Sequence, residues 1–215
     1  LSAYALNPKI KIIAPWREWA FNSRKDLVRY ARLNKIAIDF DLGKKSPYSM
    51  DANILHTSYE GGILEDPWKS PEESMWLRTK SIEKASNKAD ILELEFKNGD
   101  IIKINKKILS PCKVLEKLNQ LAGKHGIGRI DIVENRYVGI KSRGCYETPG
   151  GTIYHKAHKA MESITMDREL LHLKEDLTNR YTRLIYNGYW FSPERESLQK
   201  LINDSQRKVS GIVRI

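Results

Sequence analysis

The chain has 215 residues, 40% hydrophobic and 30% charged, with a formal net charge of +10. That is one large domain or two small ones with room for an apolar core, at roughly 100–200 residues per domain; wholesale disorder is excluded. A membrane helix is excluded too, because no apolar run approaches the roughly 20 residues that crossing requires.

Leu1–Pro8 lacks an initiator methionine and shows no basic-then-apolar leader, so it reads as the interior of a longer protein. Ile10–Ala14 is a short apolar strand ended by Pro15. Ser23 caps a helix with Asp26 three residues on; Leu27, Tyr30 and Ala31 give it helical spacing, and Asn34 is its left-handed stop. Ile36, Ile38 and Phe40 alternate as a second strand. Strand, helix, strand is a βαβ unit, the tail of a parallel α/β sheet. Gly43–Pro47 reads as a linker, and the chain to about Ser74 as irregular. A hairpin spans Ile91 to Ile104 around an Asn98-Gly99 type I′ turn, with Leu92, Leu94 and Phe96 facing Ile102 and Ile104.

Ser110-Pro111 opens a helix that Gly123 ends, and Ile130–Val133 is a strand. After a glycine-rich loop come three helices: Thr152–Ser163, one capped by Thr165 and stopped at Asn187-Gly188, and one from Ser192-Pro193 to about Lys208. Gly211–Ile215 begins a strand that is expected to lack its hairpin partner. With Ile10–Ala14 it would leave unpaired apolar edges and a poorly soluble chain. Strands followed by helices without alternation make the chain after about residue 44 α+β.

The lysines are interspersed with Asp and Glu, the pattern of solvated faces rather than of a phosphate-tracking stripe, so no nucleic-acid partner is expected. Cys112 and Cys145 form no CxxC pair, and a reducing cytoplasm suits them. Gly123, Gly126 and Gly128 lie in the order helix, glycines, strand, the reverse of a phosphate cradle, and GxxxxGK[ST] does not occur. His155 and His158 have metal-ligand spacing, but Lys156 and Lys159 crowd them with positive charge; no metal site is expected. Trp16 and Trp19, around Arg17, read as packing residues.

Two stretches carry more chemistry. In SMDANILHTSYEGG, Ser49 and Asp51 recur as Ser58 and Glu60. Hydroxyl beside carboxylate, twice, suits a zwitterion; helix capping by each serine reads equally well. In GRIDIVENRYVGIKSRGCYETPGGT, Glu134 closes an apolar strand, and Ser142, Arg143, Tyr146 and Thr148 are donors on a loop whose glycines admit a ligand. The two stretches point to a small amino-acid-like ligand, phosphorylated or not. A surface loop with ion pairs is the plainer alternative.

IIAPWREW, PYSMDANILHTSYEGGILEDPW, AGKHGIGRIDIVENRYVGIKSRGCYETPGGT and NGYWFSPERE closely resemble the argininosuccinate synthases of bacteria, over essentially the whole chain. The resemblance implies a carbon–nitrogen ligase of arginine biosynthesis and the urea cycle. Such an enzyme condenses citrulline with aspartate, using ATP with Mg²⁺, to argininosuccinate, AMP and pyrophosphate through a citrullyl-AMP intermediate. It implies a cytoplasmic homotetramer with no membrane partner. It makes residues 1–43 the last βαβ of a parallel-sheet nucleotide-binding domain and 44–215 an α+β synthetase domain truncated at its C-terminus. The family's SGGxDTS pyrophosphatase loop does not occur in these residues, so the chain alone is expected to be inactive. Ser49, Ser58, Glu134 and Tyr146 match the family's citrulline-binding residues, with Asp51 and Glu60 beside them as secondary candidates. No side chain is implied as covalent nucleophile; the expected work is positioning and stabilisation of phosphate charge, with Arg17 and Arg143 as candidates. The rival readings are a basic nucleic-acid-binding module and a non-catalytic module that only folds or oligomerises.

Overall fold

A computed structural model describes residues 1–37 and 48–215. The backbone divides into two units, Leu1–Pro47 and Tyr48–Ile215.

The first unit contains α1 (Ser2–Leu6), a single 3-10 turn at Pro15–Arg17 and α2 (Arg24–Leu33). Ser23 caps α2 as expected: its Oγ accepts from the Asp26 N–H at 3.2 Å and donates to the Asp26 carboxylate at 2.8 Å. The left-handed residue after the helix is Lys35 at φ 52°, one beyond the expected Asn34. Trp19, Phe21 and Tyr30 cluster with centroids 5.1–5.7 Å apart, while Trp16 is exposed and packs no core. Ile10–Ala14 is not a strand: Ile10, Ile12 and Ile13 are exposed, and no described strand lies beside them. Among the described residues this pentapeptide has no ladder to join, and strands persist only in pairs. Ile38, Phe40 and the expected linker Gly43–Pro47 lie outside the described residues.

The second unit is α+β, built on two antiparallel four-stranded sheets. One carries β1 (Ser49–Ala52), β2 (Thr57–Glu60), β6 (Arg129–Asn135) and β7 (Lys141–Glu147) in the order β1-β2-β7-β6. The other carries β3 (Glu93–Lys97), β4 (Asp100–Ile104), β5 (Lys107–Ile108) and β8 (Gly211–Arg214) in the order β5-β4-β3-β8. Four helices follow the same numbering: α3 (Pro111–Lys124), α4 (Pro149–Thr165), α5 (Arg168–Tyr186) and α6 (Pro193–Ser205). The main apolar core joins Leu94, Phe96, Ile101 and Ile104 of the second sheet to Val114, Leu118, Ala157 and Met161 of α3 and α4.

The β3–β4 hairpin turns at Asn98 (φ 51°) and Gly99 (φ 87°), the left-handed pair that a type I′ turn needs. A register shift at Glu95/Phe96 sets Ile101 opposite Phe96, so Ile101 and not Ile102 is buried. Gly123 does not end its helix. It lies inside α3, where a Cβ would stand 2.2 Å from the Arg78 carbonyl oxygen, so glycine there admits a crossing segment. Asp167, not Thr165, caps α5, accepting from the N–H groups of Glu169 and Leu170. Asn187-Gly188 stops α5 and Ser192 caps α6 as expected. The terminal strand is paired, contrary to expectation: β8 lies antiparallel to β3 from Glu93↔Arg214 to Phe96↔Gly211, and Leu92 and Ile215 exchange hydrogen bonds of 2.7 and 2.9 Å. Among the described residues no helix is long and apolar enough to cross a membrane.

Candidate functional site

The stretch read as irregular and the stretch read as a glycine-rich loop are the two halves of the first sheet. Ser49 and Ser58 lie on strands β1 and β2, so neither caps a helix. Ser142, Arg143 and Tyr146 lie on β7, whose hairpin with β6 turns at Gly139 (φ 85°), and Thr148 precedes α4.

Register decides what these strands present. Ser49 pairs with Glu60, Asp51 with Ser58, Ser58 with Tyr146, Gly144 with Ile132 and Ser142 with Glu134. Cross-strand partners share a face, and side chains alternate along each strand. All six candidates, Ser49, Asp51, Ser58, Glu60, Glu134 and Tyr146, therefore project from one face. The opposite face carries Tyr59 and Cys145, which pack with Tyr48, Leu64 and Met75 in a second core.

On the candidate face the Tyr146 hydroxyl donates to Glu134 Oε1. Burial, and then this bond, raise the phenol's pKa, so Tyr146 remains a neutral donor through the physiological range. Gly144 makes the contact possible: a Cβ there would stand 2.8 Å from the Tyr146 Oη and 2.9 Å from its ring. Arg136 Nη2 lies 2.6 Å from Glu60 Oε2 and donates to Ser142 Oγ at 3.0 Å. The Ser58 hydroxyl, nearly covered, reaches the Asp51 carbonyl at 3.5 Å. A cavity of about 460 Å³ opens beside Ser49, Glu60 and Ser142. Two larger ones, of about 760 and 770 Å³, are lined by none of the six candidates.

Arg143 points the other way. Its Nε and Nη2 donate to the Asp131 carboxylate at 2.8 and 2.7 Å, and its Nη1 donates to the Asp66 and Lys69 carbonyls at 2.9 Å. The pair holds the Asp131 carboxyl below its usual pKa, chiefly through the hydrogen bond from Arg143. A guanidinium so occupied fastens segment 64–69 to the sheet and is not free to meet a phosphate. Arg17 lies in the first unit, in the 3-10 turn Pro15–Arg17. His158 binds Gln206 at 2.8 Å and approaches the buried Glu162 at 3.6 Å; among the described residues no group of His, Cys, Asp and Glu is arranged to hold a metal ion.

Three contributors escaped sequence reasoning. Arg136 stands two residues beyond Glu134, the period that keeps it on the same face. Gly144 looked like loop glycine. Glu147, fully buried, accepts from the Tyr59 and Thr79 hydroxyls, each at 2.6 Å, and from the N–H groups of Leu77, Arg78 and Thr79. Period two from Arg143 and Cys145 places it inward.

A family model described as the arginosuccinate synthase C-terminal domain matches residues 48–215. Curated proteins named argininosuccinate synthase align over the chain. The one from Nitrosococcus oceani is 61% identical over 215 residues, all of this chain and 53% of the relative. The one from Campylobacter fetus subsp. fetus is likewise 61% identical over 215 residues, with the same coverage. The one from a Nitratiruptor species is 62% identical over 211 residues, 98% of this chain and 52% of the relative. The chain thus spans about half the length of the curated relatives it matches.

Proposed function

The chain belongs to the argininosuccinate synthase family, and from that premise we propose that its first sheet is the citrulline-holding surface of an ATP-dependent ligase. The observation that carries the reading is the single face shared by Ser49, Ser58, Glu134 and Tyr146, the four positions that match the family's citrulline residues. Glu134 receives the citrulline ammonium through its second oxygen, Oε2, which accepts no hydrogen bond among the described residues. Tyr146 closes the same end of the ligand. Ser58 and Ser49, one strand and two strands over from Tyr146, hold polar oxygens farther along it.

Citrulline, so held, offers its ureido oxygen to the α-phosphorus of ATP. Adenylate transfer expels pyrophosphate, the aspartate amine attacks the ureido carbon, and AMP leaves with argininosuccinate formed. The residues of this sheet bind and orient; none forms a covalent bond. ATP, with Mg²⁺, and aspartate are held by parts of the protein other than this face. The setting is arginine biosynthesis in the cytoplasm, in a homotetramer.

The 215-residue chain by itself is expected to make no argininosuccinate, because its sequence contains no phosphate-binding loop; AMP release dependent on citrulline and aspartate would contradict that. The reading itself is tested by titrating citrulline into the chain by calorimetry. A charge-assisted bond is worth roughly 1.5–3 kcal/mol, so Glu134→Gln should weaken citrulline roughly 10–150-fold. A dissociation constant within about twofold of wild type would make Glu134 structural.

A further inference from the structure

Resting on the citrulline reading, we infer that Arg136 is the positioning residue of this site: its guanidinium fixes Glu60 and Ser142 and leaves Glu134 as the carboxylate that receives the ligand ammonium.

The stem of Arg136 is held before its head does anything. It follows the last residue of β6; its N–H donates to the Ile140 carbonyl at 2.8 Å, and its own carbonyl accepts from Gly139 at 2.8 Å. These bonds close the hairpin and fix where the side chain starts. The head then joins three strands. Nη2 meets Glu60 of β2 at 2.6 Å and Ser142 of β7 at 3.0 Å, while Nη1 stands 3.9 Å from Oε1 of Glu134 on β6.

The two carboxylates are thereby made unequal. Glu60 carries the close ion pair, and the hydrogen bond that the guanidinium donates to it is the leading reason the guanidinium's pKa is raised. Glu134 gives one oxygen to Tyr146 and keeps the other open. Two carboxylates and one guanidinium leave one net negative charge, enough for one ammonium. Glu60 is thus a support for Arg136 rather than a contact of the ligand. A planar fork suits a carboxylate and a hydroxyl on separate strands; the single ammonium of lysine reaches one of them.

Two measurements on the chain decide this. In the first, citrulline is titrated by calorimetry into wild type, Arg136→Ala, Arg136→Lys, Glu60→Gln and the Arg136→Ala/Glu60→Gln double variant. Each single change to Ala or Gln is expected to weaken binding roughly tenfold, and the double no more than either, because both break one linkage. Arg136→Lys is expected to keep the wild-type melting midpoint yet bind several-fold more weakly. In the second, the hydrogen-bonded Tyr146 hydroxyl proton is followed by NMR without ligand, and its resonance is expected to shift or vanish in both Arg136 variants. Full affinity in Arg136→Lys, additive losses in the double variant, or an unchanged hydroxyl resonance would overturn the inference. If wild type takes no citrulline at all, the functional reading fails instead, and the hydroxyl resonance still decides whether Arg136 positions Glu134.

Discussion

The two sheets of the second unit solve the same problem with different chemistry. The β5-β4-β3-β8 sheet turns Leu94, Phe96, Ile101 and Ile104 onto the helices α3 and α4, and its other face carries the Glu95–Lys103 ion pair at 2.9 Å. The β1-β2-β7-β6 sheet covers its inward face with irregular chain. Segments 64–69 and 77–79 are held there by the Arg143 and Glu147 side chains as well as by Tyr59, Leu64 and Met75. Apolar burial on the first pattern needs only volume and a face. Polar fastening on the second needs every donor and acceptor met, because each buried group left unpaired costs about 1–3 kcal/mol. A sheet fastened by hydrogen bonds at fixed points holds its open face to a fixed geometry, and that face is the one carrying the ligand-binding candidates.

The largest effects test that contrast directly. Glu147→Ala removes an acceptor from five donors at once and should destabilise the unit by about 3 kcal/mol or more in chemical denaturation, since each buried donor left unpaired costs about 1–3 kcal/mol. Leu118→Ala, at a fully buried point of the apolar core, should cost about 2–5 kcal/mol by leaving a cavity. The two differ in what else they change. Glu147→Ala should also weaken citrulline binding in the molecules that remain folded, since Glu147 follows Tyr146 in β7; Leu118→Ala should leave it alone. Equal effects on affinity would erase the distinction between the sheets.

Gly144→Ala is expected to have a smaller and more selective effect. The nearest atoms the added methyl meets belong to the Tyr146 side chain, whose far end can swing aside, so the melting midpoint should stay near wild type. The swing breaks the Tyr146–Glu134 bond and pushes the ring toward the ligand. A loss of about 1–2 kcal/mol, or roughly 5–30-fold in citrulline affinity, is expected. A large drop in stability with unchanged affinity would make Gly144 a packing glycine and nothing more.

The same contrast explains what the sequence disclosed. The β3–β4 hairpin was legible from Asn98-Gly99 and its apolar alternation, and α6 from Ser192-Pro193, because local turn and cap chemistry fixes both. Strand β7 was not, because in KSRGCYE the inward positions are Arg143, Cys145 and Glu147, two of them charged. Alternation carried by charged groups that find buried partners far along the chain has no signature in apolar periodicity. The candidate residues themselves were named from sequence, but their common face was hidden by reading β1, β2 and β7 as loop. Ile10–Ala14 failed in the opposite way: it has the apolar run of a strand, yet a strand needs a neighbour.

Tyr146→Phe should produce the smallest change and the sharpest test of the ligand-binding face. The ring keeps its place over Gly144, and only the hydroxyl is lost. In the free protein that hydroxyl holds Glu134 Oε1, so its removal lets the carboxylate rotate and exchanges one neutral donor for water. The expected cost is about 0.5–1.5 kcal/mol, or roughly 2–10-fold in citrulline affinity. Stability should hardly move, since the bond lies on the open face and not against the Tyr59–Cys145 core. Because the phenol's pKa is raised, wild type and variant should show the same pH dependence of binding between pH 6 and about 9, with no step assignable to tyrosine ionisation. A step present in wild type and absent in Tyr146→Phe would mean that the hydroxyl titrates, and that Glu134 does not hold it as a neutral donor.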